Sequence, residues 1–246
     1  MLRRLSLRVW FALFHPIKTM RHVISRDLDY SKISITQIES LMDNPKVIIE
    51  AGAADGVDTL IFSSHFPDAI IYAVEPVKKQ FDYLVSKMED KRNVRLSNIA
   101  LSDQDKVVEI YIGNQAGNLG GMGSSSLFKP LKHLSYFPEI SFEERQSVQA
   151  FRLSSYINSL DIDLVDLLWL DIQGKELDVL QASYEIVTTR VKLLHLEVSR
   201  VKLYEGMPTE RNIRRFLQDS GFICVVDRVG AISGNALYLN TKLADL

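Results

Sequence analysis

The stretch VIIEAGAADGVDTLIFSSHFP, residues 47–67, decides how the rest of the chain is read. It opens on β-branched residues, runs into an acid at Glu50, passes Gly52 and Gly56, and then takes up helical spacing. A buried strand that ends on glycine and turns at once into a helix is the first βα turn of a doubly wound α/β sheet. Ligands gather there, beyond the strand ends and at the helix N-terminus. Glycine in such a turn lets backbone approach a ligand with no Cβ between them. The next strand, AIIYAVEP, ends in a second acid, Glu75, followed by Pro76. A carboxylate at that place is set to accept hydrogen bonds from both hydroxyls of a ribose.

Working outward, strand-like and helix-like segments alternate, which points to an α/β fold with a mostly parallel sheet and helices on both faces. KVIIEA and AIIYAVE are strands, the second apolar almost throughout, as a sheet covered on both faces requires. VKKQFDYLVSKMED is a helix with Phe81, Leu84, Val85 and Met88 on one face. NVRLSNIAL and KVVEIYIG read as extended segments. Residues 113–146 break the rhythm: GNQAGNLGGMGSSSLFKP is too rich in Gly, Ser and Asn for a core element and reads as a long loop, whether a lid, a binding loop or a disordered insert. Beyond it VQAFRL is a strand, Ser154 caps a short helix at SYINSL, VDLLWLD is a strand, KELDVLQAS a helix and VKLLHLEV a strand. Pro208 sits near the start of a helix that Gly221 ends, and FICVVD and NALYLN close the sheet around a hairpin turn. The expected organisation is a partly basic, helical N-terminal extension over 1–45 and one domain over 46–246.

Composition excludes several classes of function. The chain has 246 residues, 46% of them hydrophobic and 24% charged, enough to bury a full core. A net charge of −2 argues against nucleic acid as the main partner. The single cysteine, Cys224, excludes an internal disulfide and a Cys-rich zinc site, and its place in FICVV reads as a structural thiol. No segment reaches the roughly 18 apolar residues of a membrane-spanning helix. Residues 1–26 nevertheless set Arg3, Arg4 and Arg8 before VWFALF and Lys18, Arg21 and Arg26 after it. Two readings stand: peripheral contact with a membrane surface or partner, or a helix packed on the domain with its arginines in water. The second is preferred, with a cytoplasmic location and membrane association as the alternative.

Two cofactors compete for the glycine loop. A dinucleotide usually wants G-x-G-x-x-G, and the middle glycine is missing from Gly52-Ala53-Ala54-Asp55-Gly56. Glu50 and Asp55 would also repel a pyrophosphate, but they suit a ligand carrying an ammonium and a sulfonium, as S-adenosylmethionine does. An ordinary strand-to-helix turn capped by Asp55 is the plain alternative for the loop alone. Glu75 at its distance beyond Gly52 favours the methyl donor.

At this point the chain resembles the FkbM family of S-adenosylmethionine-dependent methyltransferases. The resemblance runs from about Val47 to Asn240 through IIEAGAADG, YAVEP, NIALSD, the SSSL stretch, VDLLWLDIQGKELDVL, LHLEVSRVKLYEG and the late GF of DSGFICVV. It implies a Rossmann-like class I methyltransferase: a seven-stranded, mostly parallel sheet whose last strand is antiparallel. It also implies that Glu50, Gly52 and Ala53, with Gly56 in the same loop, meet the amino-acid end of the cofactor, and that Glu75 and Pro76 meet the ribose. Ala100, Ser102 and Asp103 would lie near the adenine, and Asp171 at the methyl-donor mouth. The substrate class it implies is a sugar hydroxyl of a glycan or a hydroxyl of a secondary metabolite, methylated on oxygen. Two departures stand out: Ala54, where family members often carry Asn or His, and Ser154, where many carry Asp.

A hydroxyl acceptor must lose a proton, so a base or a metal is expected. Asp171, at the end of an apolar strand, is the leading base, with capping of the helix near Lys175 as its plain alternative. Glu197 ends the neighbouring strand and should flank the same cleft, and His195 should share its sheet face. Both are further catalytic candidates, His195 ranked below Asp171 because a strand histidine is more often a packed residue. Asp171 with Glu197 would suit magnesium, but metal dependence is not the favoured reading, and no histidine cluster marks a metal site. Glu176 is expected in solvent. Ser124, Ser125 and Ser126 are read as a closing loop or as plain loop polarity, and Tyr204 as pocket lining or packing. A cofactor-binding module that has lost catalysis is the alternative function, and an NAD-dependent oxidoreductase is disfavoured.

Overall fold

The structure, a computed structural model, describes residues 32–115 and 123–244. The basic segment 1–26 lies outside the described residues, as does part of the Gly-rich stretch. The described end of the N-terminal extension, helix α1 (Ile35–Glu39), packs on the domain through Ile38, with Ile33, Leu41 and Met42 beside it. Ser34 and Gln37 close a capping box at its start.

The core is a sheet in which β1 (Val47–Ala51) lies between β2 (Ile70–Val74) and β7 (Val165–Leu170), all parallel. Beyond β2 lies β3 (Val94–Ser97), and beyond β7 lie β8 (Val191–Ser199), then β10 (Ser233–Asn240), then β9 (Phe222–Val229). The order β3-β2-β1-β7-β8-β10-β9 makes seven strands, and β10 runs antiparallel to both neighbours. This is the Rossmann-like class I methyltransferase arrangement, with the last strand inserted against the grain.

Strand pleat sorts the core into two layers. Ile48, Ile71, Leu167, Trp169 and Leu193 face α2 (Val57–His65) and α3 (Lys78–Met88), packing on Phe62, Leu84 and Met88. Ile49, Leu168, Leu170, Leu194 and Leu196 face the other way. They meet α5 (Leu153–Ser159), α6 (Glu176–Ala182), α7 (Tyr184–Arg190) and α8 (Glu210–Asp219). All six residues of β7 are buried, which is why VDLLWL reads as an unbroken apolar run.

KVVEIYIG and VQAFRL do not join this sheet. They belong to β5 (Lys106–Gln115) and β6 (Ile140–Phe151), an antiparallel pair that with β4 (Ala100–Leu101) forms a second, three-stranded sheet. The reason is legible in alternation. Val108, Ile110 and Ile112 turn inward with Val148 and Ala150, while Val107 is 63% exposed, the pattern of a sheet wetted on one side.

The expected loop over 113–146 is largely structured instead. β5 reaches Gln115, Ser126 bridges back to Tyr111, α4 (His133–Tyr136) forms a short turn of helix, and β6 begins at Ile140. Ser154 does not cap a helix: it lies inside α5, whose N-cap is Arg152, with Arg152 N–H held by Asp105 at 2.7 Å. Thr209, next to Pro208, caps α8, and Gly221 follows it with φ 93°.

Candidate functional site

The site grows out of two successive pleats of the central sheet. In register across the strands lie Ala73, Glu50, Trp169 and His195. Two residues further along each strand, on the same face and at the carboxyl edge, come Glu75, Gly52, Asp171 and Glu197. Above this upper row a cavity of about 310 Å³ opens, within the roughly 300–1,000 Å³ range of small-molecule sites.

Gly52 has φ 90°, and a Cβ built on it would stand 1.9 Å from the Asp171 carbonyl oxygen. The glycine therefore lets β1 leave the sheet hard against β7, while Gly52 N–H and Ala53 N–H both turn to Val74 O. Ala53 and Ala54 then line the cavity. Ala54 is left-handed, φ 45°, and its N–H donates to Glu75 Oε2 at 2.9 Å. The loop thus contributes backbone at this position, and the absence of an Asn or His side chain leaves that contact intact. Gly56 does not reach the cavity wall. It opens α2 with φ 74°, and a Cβ there would meet Leu84 and Met88 of α3.

Glu75 is buried on the cavity wall, with Pro76 beside it. Its Oε1 accepts from Val77 N–H at 2.8 Å and its Oε2 from Ala54, so each oxygen keeps a lone pair for a ligand hydroxyl. Burial lifts its pKa to about 7 against these two donors. Glu50, one pleat lower, is turned under the loop: Thr59 Oγ1 of α2 donates to it at 2.6 Å, and burial raises its pKa well above the carboxylate range. It does not line the cavity.

Around the other end, Ala100, Leu101, Ile110 and Leu127 make an apolar wall. Ala100 is where the sequence places it; Ser102 and Asp103 are not on the wall. Ser102 Oγ donates to Asp103, and Asp103 pairs with Lys175 Nζ at 2.9 Å, which holds its carboxyl below the usual range.

Asp171 lines the mouth. It does not cap α6, whose N-cap position is Lys175. It is bonded to the Glu197 carboxyl, and Gln173 Nε2 donates to both, 2.9 Å to Asp171 Oδ1 and 2.6 Å to Glu197 Oε2. Burial raises both carboxyls, Glu197 the further because the Asp171 charge adds to it. The two carboxyls therefore titrate as a pair, and burial together with their mutual repulsion favours keeping a proton between them. His195 shares the Glu197 face but sits below it, stacked flat on Trp169 with ring centroids 3.3 Å apart. Burial pushes its pKa down to about 3, and it does not reach the cavity.

Several participants were not visible in the residue pattern. Asp58, in the first turn of α2, lines the cavity facing Asp171 and Asp55, and burial with their charge lifts it to about 6. The first turn of a helix after a glycine loop is itself a signal that could have found it. Gln80 also lines the wall, and its buried Oε1 has no partner. Glu176, expected in solvent, is buried; its Oε1 takes the N–H groups of Ile172 and Gly174 at 3.1 Å each, and burial raises it to about 7. Tyr204 is fully buried and ties Ser124 O to Gln173, while Ser126 Oγ donates to Gln173 O, so the serine run is fastened to the loop after β7. Ser125 lines the cavity.

The wall therefore carries Asp55, Asp58, Glu75 and Asp171, and its single cation among the described residues, Lys175, is committed to Asp103 and Asp178. Such a wall favours a cationic ligand and disfavours a pyrophosphate. Among the described residues no three His, Cys, Asp or Glu side chains form a metal-holding group, and no helix is long and apolar enough to cross a membrane.

The methyltransferase FkbM domain matches residues 50–224. The chain is similar to the 2-O-methyltransferase NoeI of Sinorhizobium fredii (strain NBRC 101917 / NGR234), 30% identical over 209 residues covering 84% of this chain and 85% of that protein. It is also similar to methyltransferase sdnD of Sordaria araneosa, 27% identical over 220 residues, 78% of each. Among solved structures, fibrillarin of Aeropyrum pernix with natively bound S-adenosyl-L-methionine superposes on 88% of this chain and 74% of its own, with 11% identity and a TM-score of 0.45.

Proposed function

The chain belongs to the FkbM family and is an S-adenosylmethionine-dependent methyltransferase, and from that premise we propose that it methylates a hydroxyl oxygen of a sugar or secondary metabolite, with Asp171 as the base. The observation that carries this reading is the Asp171 carboxyl at the cavity mouth, bonded to Glu197 and to Gln173. The relative named as a 2-O-methyltransferase supports a hydroxyl acceptor.

The residues fit the cofactor. Glu75 would accept the ribose hydroxyls on its two remaining lone pairs, Ala53 and Ala54 would bring backbone to the amino-acid end, and the acid wall would favour its positive centres. S-adenosylmethionine supplies an electrophilic methyl on a sulfonium. With that group bound, the acceptor oxygen would take the methyl, the C–S electron pair would remain on sulfur, and Asp171 would accept the hydroxyl proton. The bonds from Glu197 and Gln173 lower the Asp171 pKa against the burial that raises it, which favours its action as a base. Two carboxyls so placed would also suit magnesium, but here they are joined to each other and to Gln173, so the shared proton is preferred to a cation as what holds them.

The acceptor is taken to be a small molecule or glycan and not nucleic acid, in keeping with the net charge of −2. A cytoplasmic site of action, with membrane contact through residues 1–26 as an added option, completes the proposal. The test is methyl release from S-adenosylmethionine to a panel of sugar and secondary-metabolite hydroxyls. Asp171→Asn should lower kcat by about 10²–10⁴-fold with cofactor binding retained, the range for a lost general base. Full activity in that variant would remove Asp171 from the role.

A further inference from the structure

Gln173 enters the mechanism above only as a neighbour of Asp171, yet four hydrogen bonds converge on it, two of them with the carboxyl pair. Its backbone is left-handed, φ 53°, which a residue with a side chain rarely adopts unless its surroundings hold it there. Those surroundings are explicit. Ser126 Oγ donates to its carbonyl at 2.7 Å, and Glu176 Oε1 gathers the N–H groups on either side, from Ile172 and Gly174. Its Nε2 reaches Asp171 Oδ1 and Glu197 Oε2, and its Oε1 accepts from the Tyr204 hydroxyl at 3.1 Å.

The chemistry of the partners fixes the amide orientation. Turned over, Oε1 would face the lone pairs of two carboxyls, so Asp171 and Glu197 hold the NH₂ toward themselves, while the Tyr204 hydroxyl lies within bonding distance of both Oε1 and the Ser124 carbonyl. We propose that Gln173 is a positioning residue: its amide clamps the Asp171 and Glu197 carboxyls into one bonded pair and holds Asp171 at the cavity wall, while Tyr204 supports the other end of the amide.

The electrostatic surroundings make such a clamp necessary. The groups facing the pair are Glu50 of β1, Asp58 of α2, Glu75 at the end of β2, Glu176 of α6 and Tyr204 from the segment after β8. All are acids, and each raises the cost of charge on Asp171 when ionised. Lys175, two residues from Gln173, is occupied by Asp103 and Asp178. The stabilisation of the Asp171 charge therefore comes from neutral donors, the Gln173 amide and the proton shared with Glu197. Without the amide, Asp171 would take up a proton at a higher pH.

This inference rests on the assignment of Asp171 as base, but its test needs only the cofactor. Proton release on binding is measured by calorimetry in buffers of different ionisation enthalpy, across about pH 5.5 to 8.5, for S-adenosylmethionine and for S-adenosylhomocysteine. Only the first carries a sulfonium, so the difference in protons released reports the carboxyl pair beside it. Gln173→Met should move the midpoint of that difference upward by about one pH unit, the scale of one lost charge-assisted hydrogen bond. Tyr204→Phe should move it the same way and less, and it carries the measurement alone if Gln173→Met does not fold. An unmoved midpoint in a variant that still binds the cofactor overturns the clamp. Proton release that shifts as stated, in a protein that methylates no acceptor, would instead leave the clamp standing and remove Asp171 as base.

Discussion

Two rows of the same sheet face, one pleat apart, behave as different materials. The lower row, Glu50, Trp169 and His195, is closed: the imidazole lies flat on the indole, the carboxyl takes the Thr59 hydroxyl, and none of the three touches the cavity. The upper row, Glu75, Gly52, Asp171 and Glu197, stands at the edge where backbone leaves the sheet, and Glu75 and Asp171 keep acceptor capacity toward the cavity. A shift of two residues along a strand separates a group that organises the core from one that meets ligand. Residue type alone does not make that distinction, since each row holds at least one carboxylate.

The comparison is open to attack at its hinge. Gly52→Ala should have the largest effect, because it drives a Cβ into the Asp171 backbone at a positive φ. A loss of about 3–5 kcal/mol in denaturant unfolding, or no folded protein, is expected from strain and overpacking together. A variant that unfolds with the wild-type midpoint would mean that the two strands are not in this contact.

Next in size is the contrast between the two glutamates. Glu75→Ala should cost about 1–3 kcal/mol in S-adenosylmethionine affinity by calorimetry, as expected for a buried hydrogen-bonding partner removed. Glu50→Gln should leave that affinity within about twofold, since its carboxyl meets Thr59 and not the cavity, a difference under about 0.5 kcal/mol. Equal losses in the two variants would erase the distinction between the rows.

Stability against pH tests the buried acids together. Glu75 and Glu176 have folded pKa values of about 7 against a reference of 4.5, and Asp58 about 6 against 3.8. A raised pKa means the folded state binds the proton more tightly, so the stabilisation is complete below the reference values and is lost as pH rises toward 7. The melting temperature of the cofactor-free protein should fall between about pH 4.5 and 7.5, at roughly 2–4 °C per kcal/mol lost. A rise over that window would show that the carboxyls ionise at their ordinary values.

His195→Phe should have the smallest effect. It keeps an aromatic ring on Trp169, so methyl transfer should stay within about threefold of wild type, a cost under about 1 kcal/mol. Loss of turnover at unchanged stability would return His195 to the catalytic set.

The parts legible in the sequence are those written in strand pattern and glycine spacing. VDLLWL, buried throughout, could only be a central strand, and the turn at Gly52 with Glu75 after the next strand marked the cavity. The place of Asp171 on the cavity wall is legible for the same reason, as the polar residue that ends an apolar strand. The second sheet was missed because KVVEIYIG and VQAFRL are as strand-like as the core strands, and which sheet they join depends on pairing between distant segments. Glu176 was misplaced because its one-dimensional signal is that of any acid in a first helical turn; its burial follows from N–H groups that point at it only once the loop after β7 has folded.

The sequence by itself determined the class of sheet, the place of the ligand cleft and the two acids at its edge, because alternation, burial and glycine geometry act over a few neighbouring residues. Only the tertiary structure decided which carboxyls bond to each other, that Asp103 pairs with Lys175 off the cavity wall, and that Gln173 stands between Asp171 and Glu197. Those outcomes turn on hydrogen bonds between groups far apart in the chain, whose strength depends on burial that no local pattern encodes.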